Sequence, residues 1–431
     1  MKKLVWGLVI FVLLFVVLLY ISVSSTNKEM GTCELVGVTD ISGIDFSEHD
    51  SVRLTASNLY EGNAIKKLMQ GEHYRKAWAT PISVPIVFLD TLYGGMEIIK
   101  EGGGKQTHSL KLESQKGVAY SLRGIHKDPK ALVPDVARIL GLENIVVDGI
   151  SAQHPYGALL AASLADRVGV LHTAPKVLFV PEQPFLEEHN AKFGNRLFLL
   201  EYETESKKNW TGFKNVLEIM DTKDLQQLKM KYGDQVTIDR HALVRARLFD
   251  LLIGDWDRHA KQWGWVVQKQ DDNSYKAIPL PGDRDNAFFN VDGVIPSILA
   301  NKKVLPELQG FDTEIGFMPG LVMPFDVYFL KMVPKELFLE EARYIQEKLS
   351  DKAIQEALEA WPKEIYKLDG PDIETKLRAR RDALQFYAKE FWSALNERSL
   401  LTEPLKGSED EKLTTGMLAC FECAGSGGKL E

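Results

Sequence analysis

The sequence predicts an α+β chain of two lobes, the first rich in strands and the second in helices, behind one apolar N-terminal helix. Three observations predict it. Residues 84–125 carry short strand-like runs broken by glycine turns; the chain beyond about residue 215 carries helical spacing; residues 4–23 are a nearly unbroken apolar run without a charge. With 431 residues, 45% hydrophobic and 26% charged, the chain is long enough for two lobes and additional segments. A net charge of −8 with no basic run excludes a nucleic-acid-binding surface. The acidic balance favours solubility and names no partner.

The N-terminal run is about 20 residues, which at ~1.5 Å per residue spans a ~30 Å bilayer core. Lys2 and Lys3 precede it, so the N-terminus is expected to stay cytoplasmic and the main domain to lie outside, in the periplasm of a Gram-negative cell. A signal peptide is the alternative, giving a secreted product, although its apolar core is usually shorter (~7–15 residues). Residues 1–24 are thus a signal-anchor or transmembrane helix, and residues 25–80 a stalk followed by a packing helix near 59–78. The strand-rich lobe occupies 81–204, the helical lobe 205–400, and residues 401–431 read as a disordered tail. Cys33, Cys420 and Cys423 are too few for a disulfide scaffold, and Cys420 and Cys423 lack the two further neighbours a zinc site needs.

In the first lobe, residues 96–100, 109–112 and 118–123 read as three successive strands. The turn between the first two contains Gly102, Gly103, Gly104 and Lys105, and the third ends at Arg123, with Lys127 just beyond. Glycines let backbone N–H groups approach phosphate oxygens, and a cation nearby supplies the charge. By itself the glycine run is an ordinary hairpin turn. A helix follows over 155–169, then strands over 176–180 and 196–201. The second runs into Glu201, Tyr202 and Glu203, where a hinge between lobes is expected. Beyond it, helices are expected over 216–232, 241–254, 340–349, 353–360 and 372–395.

The helix over 241–254 leads into the chemistry. Gly254 stops it, and Asp255, Trp256, Asp257, Arg258 and His259 follow on a firmly held loop. A strand pair over 263–267 and 275–279 then returns Asp283, Arg284 and Asp285 to the same end. Two carboxylate clusters meeting from different elements can share Mg²⁺ or Mn²⁺ and a phosphate. A lone Asp-Arg-His is more often a structural ion pair; the second acidic cluster and the glycine turn are what favour a site.

Asp255-Trp256-Asp257-Arg258-His259, a hairpin, and then Asp283-Arg284-Asp285 with Phe288 resemble the catalytic half of atypical kinases. The nearest patterns are spore-coat protein H kinases and secretory-pathway (Golgi casein) kinases, with HipA-type kinases more distant. Residues 74–395 also resemble an uncharacterised, largely bacterial kinase-like group. The resemblance implies a bilobal protein-kinase-like fold that transfers phosphate from metal-bound ATP to a hydroxyl of a protein or glycan; AMP transfer is a variant. It implies Asp257 as the base, Gln262 with Asp283 or Asp285 as ligands of Mg²⁺ or Mn²⁺, and His259 as a brace of the loop. Gly102, Gly103, Gly104 and Lys105, with Arg123 or Lys127, would hold the phosphates, and Glu201 would lie where adenine binds.

Three departures from the pattern stand out. Gln262 replaces the usual Asn, Arg123 stands where Lys is usual, and the helix over 155–169 lacks the Glu that orients the phosphate-binding cation; His154 or Asp148 could substitute. A pseudokinase acting as an extracytoplasmic binding module is therefore the alternative. A metal-dependent phosphoesterase is a weaker rival, because the nine His are scattered.

Overall fold

The computed structural model describes residues 1–24, 33–38, 40–103, 107–127 and 133–425. Helix α1 (Lys2–Ser24) is long and apolar enough to cross a membrane, a test that a signal sequence also passes. Strand β1 (Ser51–Leu54) is followed by helices α2 (Ala64–Gln70) and α3 (Arg75–Ala79), and then by strand β2 (Ile82–Pro85), which pairs antiparallel with β1.

Next come strands β3 (Met96–Gly102), β4 (Ser109–Ser114) and β5 (Ala119–Gly124), then helices α4 (Asp135–Ile139), α5 (Glu143–Gly149) and α6 (Gly157–Val168). Strand β6 (Lys176–Val180), helix α7 (Asn190–Phe193) and strand β7 (Arg196–Tyr202) complete the first lobe. All five later strands form one antiparallel sheet in the order β3-β4-β5-β7-β6. Successive side chains alternate between faces, so this sheet has two characters. Leu110, Leu112, Leu122 and Leu200 point into an apolar core, while Ser109, Ser121, Arg123 and Glu201 share the opposite face.

The second lobe begins with a correction. Residues 216–232 are not one helix: β8 (Val216–Asp221) is a strand, and helix α8 (Thr222–Tyr232) starts where Asp221 accepts from the Asp224 N–H. The first half is strand because β8 pairs antiparallel with β10, and long-range pairing overrides a local preference. Strand β9 (Val236–Ile238) and helix α9 (Arg240–Ile253) follow, then the hairpin of β10 (Trp263–Lys269) and β11 (Tyr275–Pro281). These strands form a second sheet in the order β8-β10-β11-β9.

Helices α10 (Val294–Leu299), α11 (Pro324–Leu330), α12 (Lys335–Lys348), α13 (Asp351–Leu358), α14 (Lys363–Asp382), α15 (Leu384–Glu397) and α16 (Thr415–Ala419) finish the chain. The single helix expected over 372–395 is two, α14 and α15, broken at Ala383. Ile365, Leu377, Leu384 and Phe391 from these two helices pack with α9 and α12 in the main core.

The tail is also corrected. Residues 401–425 are folded: Cys420 and Cys423 form a disulfide, and Phe421 packs on Phe329, its N–H donating to the Tyr328 carbonyl. The Gly- and Ser-rich composition that suggested disorder is confined to the last few residues; the apolar side chains before them are buried.

Candidate functional site

Helix α9 holds the site in place. Asp239 caps its start, accepting from the Ala242 N–H, and Gly254 ends it at φ 68°, a left-handed conformation that suits glycine. Arg247 and Asp250, set among the apolar residues of this helix, are both buried. Asp250 accepts from Arg247 Nη1 at 2.8 Å and Arg258 Nε at 3.2 Å, and pairs with Arg284 Nη1 at 2.7 Å. One buried carboxylate therefore joins the helix, the loop after it and the loop between Asp283 and Asp285. Asp326 supplies a further charge, accepting from Arg247 Nε at 2.5 Å.

Arg258 is the second bond between the loops. Its Nη1 donates to Gln262 Oε1 at 3.1 Å and to the Gly282 carbonyl at 2.8 Å, and lies 3.5 Å from Asp255 Oδ2. The guanidinium stacks 4.9 Å from the Trp263 ring. Burial pushes the Asp255 carboxyl up to about 7, with Arg258 opposing. The structural ion pair foreseen for this motif thus involves Asp250 and Asp255. Asp257 is left facing outward, its side chain 32% exposed.

The hairpin completes the convergence. Trp263 is paired with Pro281, and the Gly282 N–H donates to the Gln262 carbonyl at 2.9 Å. This register places Gln262 beside the residues that lead into Asp283. Gln262 Nε2 is 3.5 Å from Asp257 Oδ2. His259 is corrected: it lines the cleft 3.9 Å from Asp257, while the bracing expected of it falls to Arg258. Burial lowers the His259 pKa.

Strand β5 and the residues after it reach these loops. Arg123 pairs with Asp283 and lies 3.7 Å from Asp285, while Lys127 Nζ is 2.9 Å from Asp285 Oδ2. Burial and the neighbouring Asp285 hold the Asp283 carboxyl above its usual range. Burial works the same way on Asp285, but Lys127 and Arg123 outweigh it and keep Asp285 below that range. A cleft of about 780 Å³ is lined by Gly103, Arg123, Lys127, Asp257, His259, Gln262, Asp283 and Asp285. Gly103 adopts φ +123°, and a side chain there would meet the Thr107 carbonyl oxygen at 2.0 Å, so the turn requires glycine. Gly102 ends β3 beside it, paired with Ser109. Gly104 and Lys105 lie outside the described residues. Lys406 also lines the cleft, carried there by the segment before α16.

Glu201 is placed differently from expectation. It lies within β7, and the hinge N–H groups are already engaged: Tyr202 donates to Thr173 and Glu203 to Ala119. The Glu201 side chain is buried under Arg123, with Oε2 3.6 Å from Nη2, and its Oε1 accepts from Thr173 Oγ1 at 2.5 Å. It supplies the carboxylate that α6 lacks. Neither suggested substitute reaches Arg123: Asp148 pairs with Lys66 and Arg75, and His154 stacks on Trp361 next to Asp369. Burial pushes Glu201 up to about 7 against the pull of Arg123.

Among the described residues no group of three or more His, Cys, Asp or Glu is arranged to hold a metal. Gln262, Asp283 and Asp285 nevertheless put hard oxygen donors on one cleft wall, and Gln262 Oε1 keeps a lone pair beyond its bond to Arg258. That set fits Mg²⁺ or Mn²⁺ shared with phosphate, which needs only one or two carboxylates from the protein.

Comparison with solved structures finds the Helicobacter pylori proinflammatory kinase CtkA, at 14% identity over 71% of this chain and 97% of that one, TM-score 0.36. It also finds HipA, in a complex with HipB and operator DNA from Shewanella oneidensis MR-1, at 13% identity over 60% of this chain and 58% of that one, TM-score 0.28. Both TM-scores are below 0.5, so the site is read from the geometry of this chain alone. No family model and no curated protein matches the chain.

Proposed function

We propose that this protein is a membrane-anchored kinase-like phosphotransferase, moving phosphate from metal-bound ATP to a hydroxyl on a protein or glycan. The observation that carries the proposal is the cleft. Gly103, Arg123 with Lys127, Asp257 with Gln262, and Asp283 with Asp285 come from four separate stretches and line one space. A structural role for any one of them does not require the others to meet.

Asp257 orients the acceptor hydroxyl and takes its proton; its exposure on the cleft wall suits that work. Arg123 and Lys127 hold phosphate oxygens, with Gly103 on the same cleft, and Glu201 keeps Arg123 aimed. Asp283, Asp285 and Gln262 would hold Mg²⁺ or Mn²⁺, which supplies neutralisation of phosphate charge. Catalysis is then positioning and charge stabilisation.

A binding-only reading has one observation in its favour: Arg123 and Lys127 are already paired with Asp283 and Asp285. Thermal-shift titration with ATP and Mn²⁺ or Mg²⁺ tests both. Phosphotransfer predicts a metal-dependent rise in Tm that survives Asp257→Ala, disappears in Asp283→Ala/Asp285→Ala, and is accompanied by label transfer from γ-labelled ATP in the wild type only. A metal-dependent shift without transfer to any acceptor, water included, would leave a binding module. No shift at millimolar nucleotide would overturn the proposal.

A further inference from the structure

Helix α1 is not a loose tether. Its last turn is built into the folded domain: Ser22 and Val23 are buried, Gln70 Nε2 donates to Ser22 Oγ at 3.0 Å, and Asn144 Nδ2 donates to the Val23 carbonyl at 2.8 Å. Helices α2 and α5 pack against it, and α10 packs against α2. The α10 contact is tight: the Glu72 N–H donates to Asp292 at 3.0 Å, and a side chain on Gly293 would meet the Gly71 nitrogen at 2.2 Å.

If residues 4–21 lie in the bilayer, these 18 residues at ~1.5 Å each cover about 27 Å, nearly all of its ~30 Å core. Tyr20 then falls at the headgroup level, where tyrosine concentrates. Tyr20 Oη donates to the Leu140 carbonyl at 2.8 Å, which brings the end of α4 to that same level. The surface around this point is apolar. Leu68 on α2, Val136, Ile139 and Leu140 on or next to α4, and Ile298 and Leu299 on α10 are all exposed, Ile139 to 82%. Lys302 and Lys303 follow directly and are exposed too. Large apolar side chains grouped in this way mark an interaction site, and a rim of lysine suits an anionic headgroup layer.

We propose that this collar is seated in the membrane interface: α2, α4 and α10 dip their exposed apolar side chains among lipid headgroups around the exit of α1. The occupant is the bilayer itself, because α2 and the end of α4 adjoin the segment that would enter it, and α10 extends the same surface from α2. Seating would hold the domain in one orientation, with α10, in the segment that follows Asp285, against the lipid. The proposal rests on α1 crossing the bilayer, and the experiment reports that separately.

The test uses the full chain in nanodiscs whose acyl chains carry a nitroxide either near the chain end, to report Leu13, or at a shallow position, to report the other sites, with an environment-sensitive fluorophore on Leu13→Cys, Ile139→Cys, Ile298→Cys or Phe386→Cys. Leu13 reports insertion of α1, and Phe386 is an exposed apolar residue on α15. The expected result is quenching at Leu13, Ile139 and Ile298, with Phe386 unquenched. Quenching at Leu13 with Ile139 or Ile298 no more quenched than Phe386 overturns the collar while keeping the anchor. No quenching at Leu13 overturns both.

Discussion

Replacing Glu201 by Gln removes a charge without changing shape. The amide oxygen can still accept from Thr173 Oγ1, so packing around β7 is preserved. What changes is titration. Burial raises the Glu201 carboxyl from the ordinary 4.5 to about 7. The folded protein therefore keeps a proton that the unfolded chain releases earlier. The stability this group contributes is fully present below pH 4.5 and is lost as pH rises through about 7. At about 1.4 kcal/mol per pH unit, that interval corresponds to roughly 3 kcal/mol. For a chain of this length, about 1 °C of Tm accompanies each kcal/mol. Glu201→Gln should thus gain on the wild type by roughly 3 °C between pH 5 and pH 8. Asp255 titrates in the same window but is present in both proteins, so it cancels in the difference. Thermal unfolding in parallel buffers measures it. A Tm difference that does not change with pH would refute the burial of the Glu201 carboxyl beside Arg123. At pH 8, where Glu201 is ionised, the same variant should also show a smaller rise in Tm with Mn²⁺ and ATP, since Arg123 loses the carboxylate that aims it.

Arg258→Met should cost about 3–5 kcal/mol in denaturant unfolding, because Asp250 and Asp255 lose a buried partner; Arg258→Lys should recover little, since one ammonium cannot span these partners, Gln262 and the Gly282 carbonyl. Asp257→Asn lies outside this ion network, so its unfolding free energy should stay within ~0.5 kcal/mol of wild type while phosphate transfer falls about 10²–10⁴-fold. Reducing the Cys420–Cys423 disulfide should destabilise by ~2 kcal/mol or less, as expected for a short closed ring. Limited proteolysis should then cut within residues 401–425 faster than in the oxidised protein.

Local signals were readable in the sequence and long-range ones were not. The periodicity of α9, the turn at Gly254, the hairpin and the three strands from β3 to β5 all follow from neighbours within a few residues of each other. So do Asp257 and Gln262, because their spacing survives folding. Pairings across the chain left no local trace. Arg123 and Asp283 are 160 residues apart, and Arg247 and Asp326 are 79 apart. Glu201 did carry a signal: it is the first acid after the apolar run Leu197-Phe198-Leu199-Leu200, and it alternates onto the face of Ser121. An acid in such a place is usually paired. Arg247 and Asp250, three apart and flanked by Leu248, Phe249, Leu251 and Leu252, could have been read as a buried pair by the same reasoning.

The paired charges in the cleft bear on how it could bind nucleotide. Arg123 and Lys127 now neutralise Asp283 and Asp285. With a metal-bound nucleotide, both halves can exchange partners without leaving a charge alone: the cations take phosphate oxygens, and the carboxylates take the divalent ion. ATP without metal offers only half of this exchange, because Asp283 and Asp285 would lose their cations and gain nothing. Wild-type protein should therefore bind ATP weakly in EDTA and more strongly with Mn²⁺. Asp283→Ala/Asp285→Ala should do the opposite, since it frees Arg123 and Lys127 and removes the donors for the ion. Its affinity for metal-free ATP should rise severalfold, and Mn²⁺ should add little. Isothermal titration in EDTA and in Mn²⁺ measures all four affinities. If the double variant binds metal-free ATP no better than wild type does, then Arg123 and Lys127 do not receive the phosphates, and their pairs with Asp283 and Asp285 are a fixed clasp between the lobes.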